Sequence, residues 1–262
     1  MKNLIYFSVF FDVGYGDLLG MLLKSLQAKG NFNPETTDLL IMTHPTMQDA
    51  IVEKLTPYGF KIHLWFKDFR TLFEAAAARL HVFKYPKIAN YDKILYVDVD
   101  VLVTSNINTL FNLPIDTGTI YGPEDMTLGS YYHGRQFYSD PPEVDLTQPA
   151  FCSGILMFKN CREIESLFEE TLKHINLDLV VKGNSIPGCL EQPYLVYNAA
   201  VRKVYNAKLL NTYIRQGGVE TIEDGVVLCH FCGNIGNSSP KKARMETFFR
   251  RNIDFKPSTV ST

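Results

Sequence analysis

The sequence predicts an α/β protein whose core is one Rossmann-like, mostly parallel sheet with helices on both faces. Three observations predict it. Up to about residue 115, short apolar runs alternate with segments of helical period, the pattern of a strand–helix–strand sheet. The apolar runs are continuous rather than alternating, as strands covered on both faces are. The chain has 262 residues, 46% hydrophobic and 21% charged, ordinary globular values for a length that supports one large core. We expect one domain over residues 1–255 and a tail without structure at 256–262, where "KPSTVST" offers nothing to bury.

The elements follow in order. "LIYFSVFF" reads as a buried strand, followed by a loop with Gly14 and Gly16. "DLLGMLLKSLQAKG" reads as a helix with Leu18, Met21, Leu22 and Leu26 on one side and Gly30 as its stop. "DLLIMT" is a second strand, "TMQDAIVEKLTPYG" a helix capped by Thr46, and "FKIHLWF" a third strand. "FRTLFEAAAARLHVFKY" is a helix that Pro86 ends, and "KILYVDVDVLV" a fourth strand. The second half is less regular. The polar and aromatic stretch from Thr119 to Ala150 reads as an insertion over the sheet, "FCSGILMF" as a strand, and "REIESLFEETLKHI" as an amphipathic helix. "EQPYLVYNAAV" suggests a short helix, "GVVLCHF" a last strand and "SPKKARMETFFRR" a terminal helix.

Composition narrows the function classes. A net charge of −2 gives no footprint for sequence-independent nucleic-acid binding. Five scattered cysteines make a poor disulfide scaffold, and we expect a reducing, cytoplasmic setting. The N-terminus reads as a strand rather than a signal peptide, and no run is long enough for a membrane-spanning helix. Cys229-x-x-Cys232 invites a zinc or redox reading, but zinc needs two further ligands at sensible spacing.

The fourth strand poses the chemical question. Residues i and i+2 of a strand share a face, so Asp98 and Asp100 are expected side by side in an apolar wall. Two adjacent carboxylates repel unless a positive charge lies between them. A divalent cation with hard oxygen ligands, Mn²⁺ or Mg²⁺, meets that need and in turn suits a nucleotide diphosphate. Open parallel sheets bind such ligands beyond the carboxyl ends of their strands.

The stretch "YDKILYVDVDVLVTSNINTLF", Tyr91 to Phe111, resembles glycosyltransferase family 8, the retaining GT-A family that includes glycogenin, bacterial lipopolysaccharide galactosyltransferases and galactinol synthase. Five further segments fall in that family's order. In "DVGYGDLLGMLLKSL", Tyr15 takes the place of a tyrosine that contacts uracil, with Val9 and Asp12 placed to meet the base. In "AARLHVF", Arg79 stands where the family has a lysine that touches the diphosphate or sugar. "FCSGILMF" matches a segment whose asparagine reaches the donor sugar; here Cys152 replaces it, and Ser153 and Gly154 are kept. In "LEQPYL", Glu191 replaces the aspartate near the anomeric carbon and Gln192 is retained. "YGPED" offers Glu124 and Asp125 where the family often has an acid that touches the sugar, and Asp125 is taken as a second choice behind Glu191. In "CHFCGNIG", His230 corresponds to the third metal ligand beside Asp98 and Asp100, and Gly233 to a glycine that wraps the diphosphate. The family's lysine three residues after that glycine is Gly236 here; Lys241 and Lys242 are the candidates for the charge, and without either the leaving group would be stabilised less well.

The resemblance therefore implies a single-domain GT-A fold and transfer of a hexose, glucose foremost, from a UDP-sugar to a hydroxyl of a glycan or protein, with Mn²⁺ or Mg²⁺. It also implies a donor site that includes Val99 between the two aspartates, and catalytic roles for Glu191, Arg79 and Asp125. Tyr213 of "VYNAKLLNTYI" lies where glycogenin carries its own acceptor tyrosine, and some relatives suggest a homodimer. Two other readings stand beside it. One is a nucleotidyltransferase, although the loop "FDVGYGD" is acidic rather than basic; the other is a non-catalytic UDP-sugar-binding protein of the same fold.

Overall fold

The computed structural model describes residues 1–217 and 221–254. The tail at 256–262 lies outside the described residues. The strands are β1 (Lys2–Val9), β2 (Thr37–Thr43), β3 (Ile62–Phe66), β4 (Tyr91–Val97), β5 (Val101–Val103), β6 (Ile120–Tyr121), β7 (Glu124–Thr127), β8 (Pro149–Phe151), β9 (Ile155–Lys159), β10 (Tyr205–Asn206), β11 (Ile214–Gln216) and β12 (Leu228–His230). The helices are α1 (Gly14–Lys29), α2 (Gln48–Leu55), α3 (Leu72–Ala77), α4 (Asn108–Phe111), α5 (Arg162–Ile175), α6 (Gln192–Arg202) and α7 (Ser238–Asn252).

The central sheet has seven strands in the order β10-β6-β9-β4-β1-β2-β3. β3, β2, β1 and β4 run parallel, and β9 is antiparallel to both β4 and β6. Period-two alternation divides the buried strand residues between two apolar layers. Ile5, Phe7, Leu39, Ile41, Leu95 and Val97 pack with Leu18, Leu22 and Leu26 of α1 and Met245, Phe248 and Phe249 of α7. Leu4, Tyr6, Leu40, Met42, Ile94 and Tyr96 pack with Ile164, Leu167 and Phe168 of α5 and Tyr194, Leu195 and Ala199 of α6. The sheet is thus the mostly parallel, two-sided sheet that the continuous apolar runs predict.

Three local expectations need correction. The helix after β2 is entered through a 3₁₀ turn, Pro45–Met47, and its cap is the His44 side chain, which accepts from the Thr46 amide. Proline at the first helical position sets that earlier entry. The helix before Pro86 is α-helical only to Ala77, opened by a Thr71–Glu74 capping box, and then tightens into a 3₁₀ segment, Ala78–Lys84, that carries Arg79.

The third correction matters most. The run from Lys93 to Val103 is two strands rather than one: β4 ends at Val97, Asp98–Asp100 form a turn, and β5 leaves the central sheet. β5 joins a three-stranded sheet of order β11-β12-β5. "FCSGILMF" breaks in the same way at Cys152–Gly154, between β8, which pairs with β7, and β9 of the central sheet. Nothing in the alternation Val-Asp-Val-Asp-Val marks a change of sheet, because both strands are equally apolar.

Leu95 is fully buried in the middle of β4. Its truncation to alanine should cost about 2–5 kcal/mol in urea denaturation, whereas alanine at the exposed Val52 of α2 should change stability by less than about 0.5 kcal/mol.

Candidate active site

A cavity of about 520 Å³ is lined by residues just beyond the carboxyl ends of β1 and β4, the two breaks, the start of α6 and the segment after β12. A second cavity, of about 600 Å³, is lined by Glu143, Asp145, Lys203 and Lys208 and contains none of the candidate ligand residues. The first is the one that collects the chemistry.

The two breaks are pinned together. The Asp98 amide donates to the Gly154 carbonyl at 2.8 Å, next to the β4–β9 pairing of Val97 with Ile155. The antiparallel pairing of β5 with β12 sets Val101 opposite His230, and the Phe231 amide donates to the Asp100 carbonyl at 2.8 Å. His230 is thereby carried more than a hundred residues along the chain to the aspartate turn. Gly154 makes the approach possible: a Cβ there would lie 2.4 Å from His230 Cε1 and 2.8 Å from Asp98 Oδ2.

The four aspartate oxygens have different partners. Asp98 Oδ1 accepts from the Tyr96 hydroxyl and lies 3.2 Å from the Arg79 guanidinium. Asp100 Oδ2 accepts from Lys241 Nζ at 2.7 Å. Asp98 Oδ2 and Asp100 Oδ1 are 4.0 and 3.2 Å from His230 Nε2. One ligand atom each from Asp98, Asp100 and His230 thus lies within 4.8 Å of the others, and the two separations from His230 Nε2, 4.0 and 3.2 Å, fall within the span of two bonds of roughly 2.0–2.1 Å to a small divalent cation. The donor set of two carboxylate oxygens and one imidazole nitrogen fits such an ion. Burial works to raise the Asp100 carboxyl, but His230 and Lys241 outweigh it and hold the group well below the usual carboxylate range. Burial opposes charge on His230, yet Asp100 holds the ring well above the usual imidazole range. Cys152 Sγ stands 3.9 Å from His230 Nδ1, leaving Nε2 to face the aspartates.

Beside this group lies a second buried cluster. Arg79 Nε is 3.1 Å from Glu191 Oε1, the guanidinium donates to the Ser153 carbonyl, and it stacks 4.5 Å from the Tyr96 ring centre. Ser153 Oγ donates to Glu191 Oε1 at 2.9 Å, and the Ser153 amide donates to Gln192 Oε1 at 2.9 Å. Burial raises the Glu191 carboxyl above its ordinary range, with Arg79 pulling against it. Arg79 remains charged despite its burial because Asp98 and Glu191 flank it.

Of the remaining expected residues, Tyr15, Val99, Asp125 and Gly233 line the cavity. Tyr15 faces Lys241 Nζ at 5.8 Å from its ring centre, and Asp125 Oδ2 lies 3.3 Å from His133 Nε2. Three are placed elsewhere. Val9 is buried in the core, with Ser8, Phe10 and Phe11 lining the cavity in its stead. Asp12 caps a turn, accepting from the Gly14 amide and the Ser238 hydroxyl, each at 2.9 Å. Tyr213 packs half-buried against the core and is not among the lining residues. Cys229 also belongs to the core, where burial pushes its thiol up to about 12, a poor zinc ligand. Sequence reasoning missed Tyr96, Phe11 and His133. Tyr96 had a usable signal, since a residue two before Asp98 shares its strand face; Phe11, at φ 69°, and His133, buried within the Thr119–Ala150 stretch, had none.

Gly154→Ala should abolish divalent-cation binding in calorimetry while the far-UV circular dichroism stays that of the parent, because the three atoms nearest the added methyl group all belong to His230 and Asp98.

The sequence profile described as Glycosyl transferase family 8 matches residues 71–235. A search of curated proteins returned no match. Among solved structures, the apo form of the bifunctional glycosyltransferase WbbM superposes with a TM-score of 0.61 at 17% identity, over 98% of this chain and 50% of that one. This chain therefore spans about half of WbbM. Mouse xyloside xylosyltransferase 1 in its apo form gives 0.56 at 16% identity, over 90% of this chain and 99% of that one. The galactosyltransferase LgtC, solved with donor and acceptor sugar analogues, gives 0.59 at 12% identity, over 98% of both chains. At such identities these structures report the fold, which is GT-A. With the profile match covering more than half of its length, the chain belongs to glycosyl transferase family 8, a family of enzymes.

Proposed function

We propose that this chain is a retaining, metal-dependent hexosyltransferase that moves glucose from UDP-glucose to a hydroxyl of a glycan or protein. The observation that carries the reading is the inward-facing trio of Asp98 Oδ2, Asp100 Oδ1 and His230 Nε2 beside the cavity, each aspartate with its other oxygen already bound. Asp98, Asp100 and His230 would hold Mn²⁺ or Mg²⁺ there, which would supply Lewis-acid stabilisation of the charge on the departing diphosphate. Phe11 and Tyr15 offer aromatic surface for the uracil, and the Val99 backbone lies between the ligand aspartates. Gly233, at φ 94°, gives the following loop a conformation that lets backbone approach the diphosphate.

In the transfer, the acceptor oxygen bonds to the anomeric carbon as the bond from that carbon to the UDP oxygen breaks. The acceptor proton passes to the departing phosphate oxygen. Glu191 Oε1 is engaged by both Arg79 and Ser153, which favours an electrostatic role beside the anomeric centre over nucleophilic attack. Asp125, partly exposed and paired among the described residues with His133 alone, through Oδ2, is the acid we assign to a sugar hydroxyl. Tyr213 lies outside the cavity lining, so an external acceptor fits a single chain better than self-transfer. The Arg79–Glu191 pair also favours one second reading, a protein that binds UDP-sugars without turning them over, because both groups are satisfied before any sugar arrives.

UDP release and intact mass, followed with Mn²⁺ and separately UDP-glucose, UDP-galactose, UDP-xylose and UDP-N-acetylglucosamine, decide between these readings. Turnover is expected with UDP-glucose, and Asp100→Ala or a chelator should lower it by about a hundredfold or more. Binding of UDP-glucose without UDP release in any acceptor mixture would establish the non-catalytic reading. Tyr96→Phe should weaken Mn²⁺ binding roughly 10–100-fold with little change in melting temperature, since it leaves Asp98 Oδ1 to Arg79 alone without opening a cavity.

A further inference from the structure

On the reading of this cavity as a metal–diphosphate site, we propose that Lys241 is a resident counter-ion of Asp100 that opposes metal binding and moves to the diphosphate, making metal and nucleotide bind synergistically. Lys241 is the fourth residue of α7, and its Nζ lies 2.7 Å from Asp100 Oδ2. Its side chain is only 10% exposed, yet it lines the cavity. An ion between Asp98 Oδ2, Asp100 Oδ1 and His230 Nε2 would share a carboxylate with this ammonium, two like charges a few ångströms apart in a site shielded from water. Lys241 also confines Asp100 to one oxygen for the ion. A metal arriving alone meets both penalties.

A diphosphate changes the balance. Its oxygens are anionic, they must lie next to the metal, and a lysine on a flexible stem can turn from one anion to another as a compact point charge. Among the described residues, the other basic groups lining the cavity are His230, which faces the two aspartates, and Arg79, whose guanidinium is committed to Asp98, Glu191 and the Ser153 carbonyl. Gly236 offers no alternative site for a lysine: its φ is 75°, and a Cβ there would lie 3.0 Å from Leu72 Cδ2. Lys241, with Asp100 as its one ion-pair partner among the described residues against Arg79's two carboxylates and a carbonyl, is the group that can turn to the diphosphate. Because binding couplings are reciprocal, the factor by which UDP strengthens the metal equals the factor by which the metal strengthens UDP.

The test measures Mn²⁺ binding by electron paramagnetic resonance and calorimetry, with and without UDP, on the parent, Lys241→Met, Lys241→Gln, Lys241→Arg and Lys242→Met. In the parent, UDP should tighten Mn²⁺ by about tenfold or more; in Lys241→Met, Mn²⁺ alone should bind about tenfold tighter, while the UDP enhancement falls towards unity. Lys241→Arg should keep the enhancement. Lys242→Met should match the parent, because Lys242 pairs with Asp17 at 2.8 Å instead. A merely structural lysine predicts the opposite sign, weaker Mn²⁺ binding in the variant. Should Lys241→Met not fold, Lys241→Gln carries the same prediction, read also as a larger Mn²⁺-induced rise in melting temperature than in the parent. Unchanged or weaker metal-only binding in the folded variants, with the UDP enhancement intact, overturns the proposal. A parent that binds no Mn²⁺ under either condition overturns the metal-site reading itself, and the proposal with it.

Discussion

Two carboxylates set into an apolar wall persist only if each of their oxygens has a partner, and much of the site follows from that requirement. Tyr96, Arg79 and Lys241 take the outer oxygens of Asp98 and Asp100, while His230 faces the inner pair. Each partner comes from a different part of the chain: β4 itself, the 3₁₀ segment after α3, α7 and β12. The electrostatics of one turn thus tie the first half of the sheet to the last helix. An unpaired buried charge would cost several kcal/mol, so these distant elements are held in register by the same interactions that prepare a cation site.

The backbone serves the same end. A continuous strand would keep both aspartates within one sheet. Breaking at Asp98–Asp100 lets the chain pass to the small sheet, where β12 presents His230, and the matching break at Cys152–Gly154 leaves room for that imidazole. The site lies where strands change sheets, beyond the carboxyl ends of β1 and β4, where open α/β sheets hold their ligands.

The departures from the family pattern form a connected set in space. Cys152 stands against His230 Nδ1, Glu191 reaches Arg79 with its extra methylene, and the charge absent at Gly236 arrives on Lys241 from the helix beyond. Arginine rather than lysine at position 79 follows from the number of partners: Asp98, Glu191 and two backbone carbonyls need a forked donor. A substitution that looks like loss when read alone is matched by a neighbour when the side chains are seen together.

The sequence by itself determined the parallel sheet and its covering helices, because hydrophobic periodicity is local and each run carries it. It also determined the pairing of Asp98 with Asp100 and, through the motif resemblance, the company of His230. Spacing along a loop does not say which side chains face inward: Val9 is buried in the core, and the turn that brings Phe11 to the cavity also ties Asp12 to Gly14 and Ser238. Whether Arg79 meets a ligand or Glu191, which lysine answers the missing one, and where a uniformly apolar run changes sheets were decided only by tertiary structure. Those outcomes depend on hydrogen bonds and ion pairs between residues tens to more than a hundred positions apart, and no local pattern of residue types encodes them.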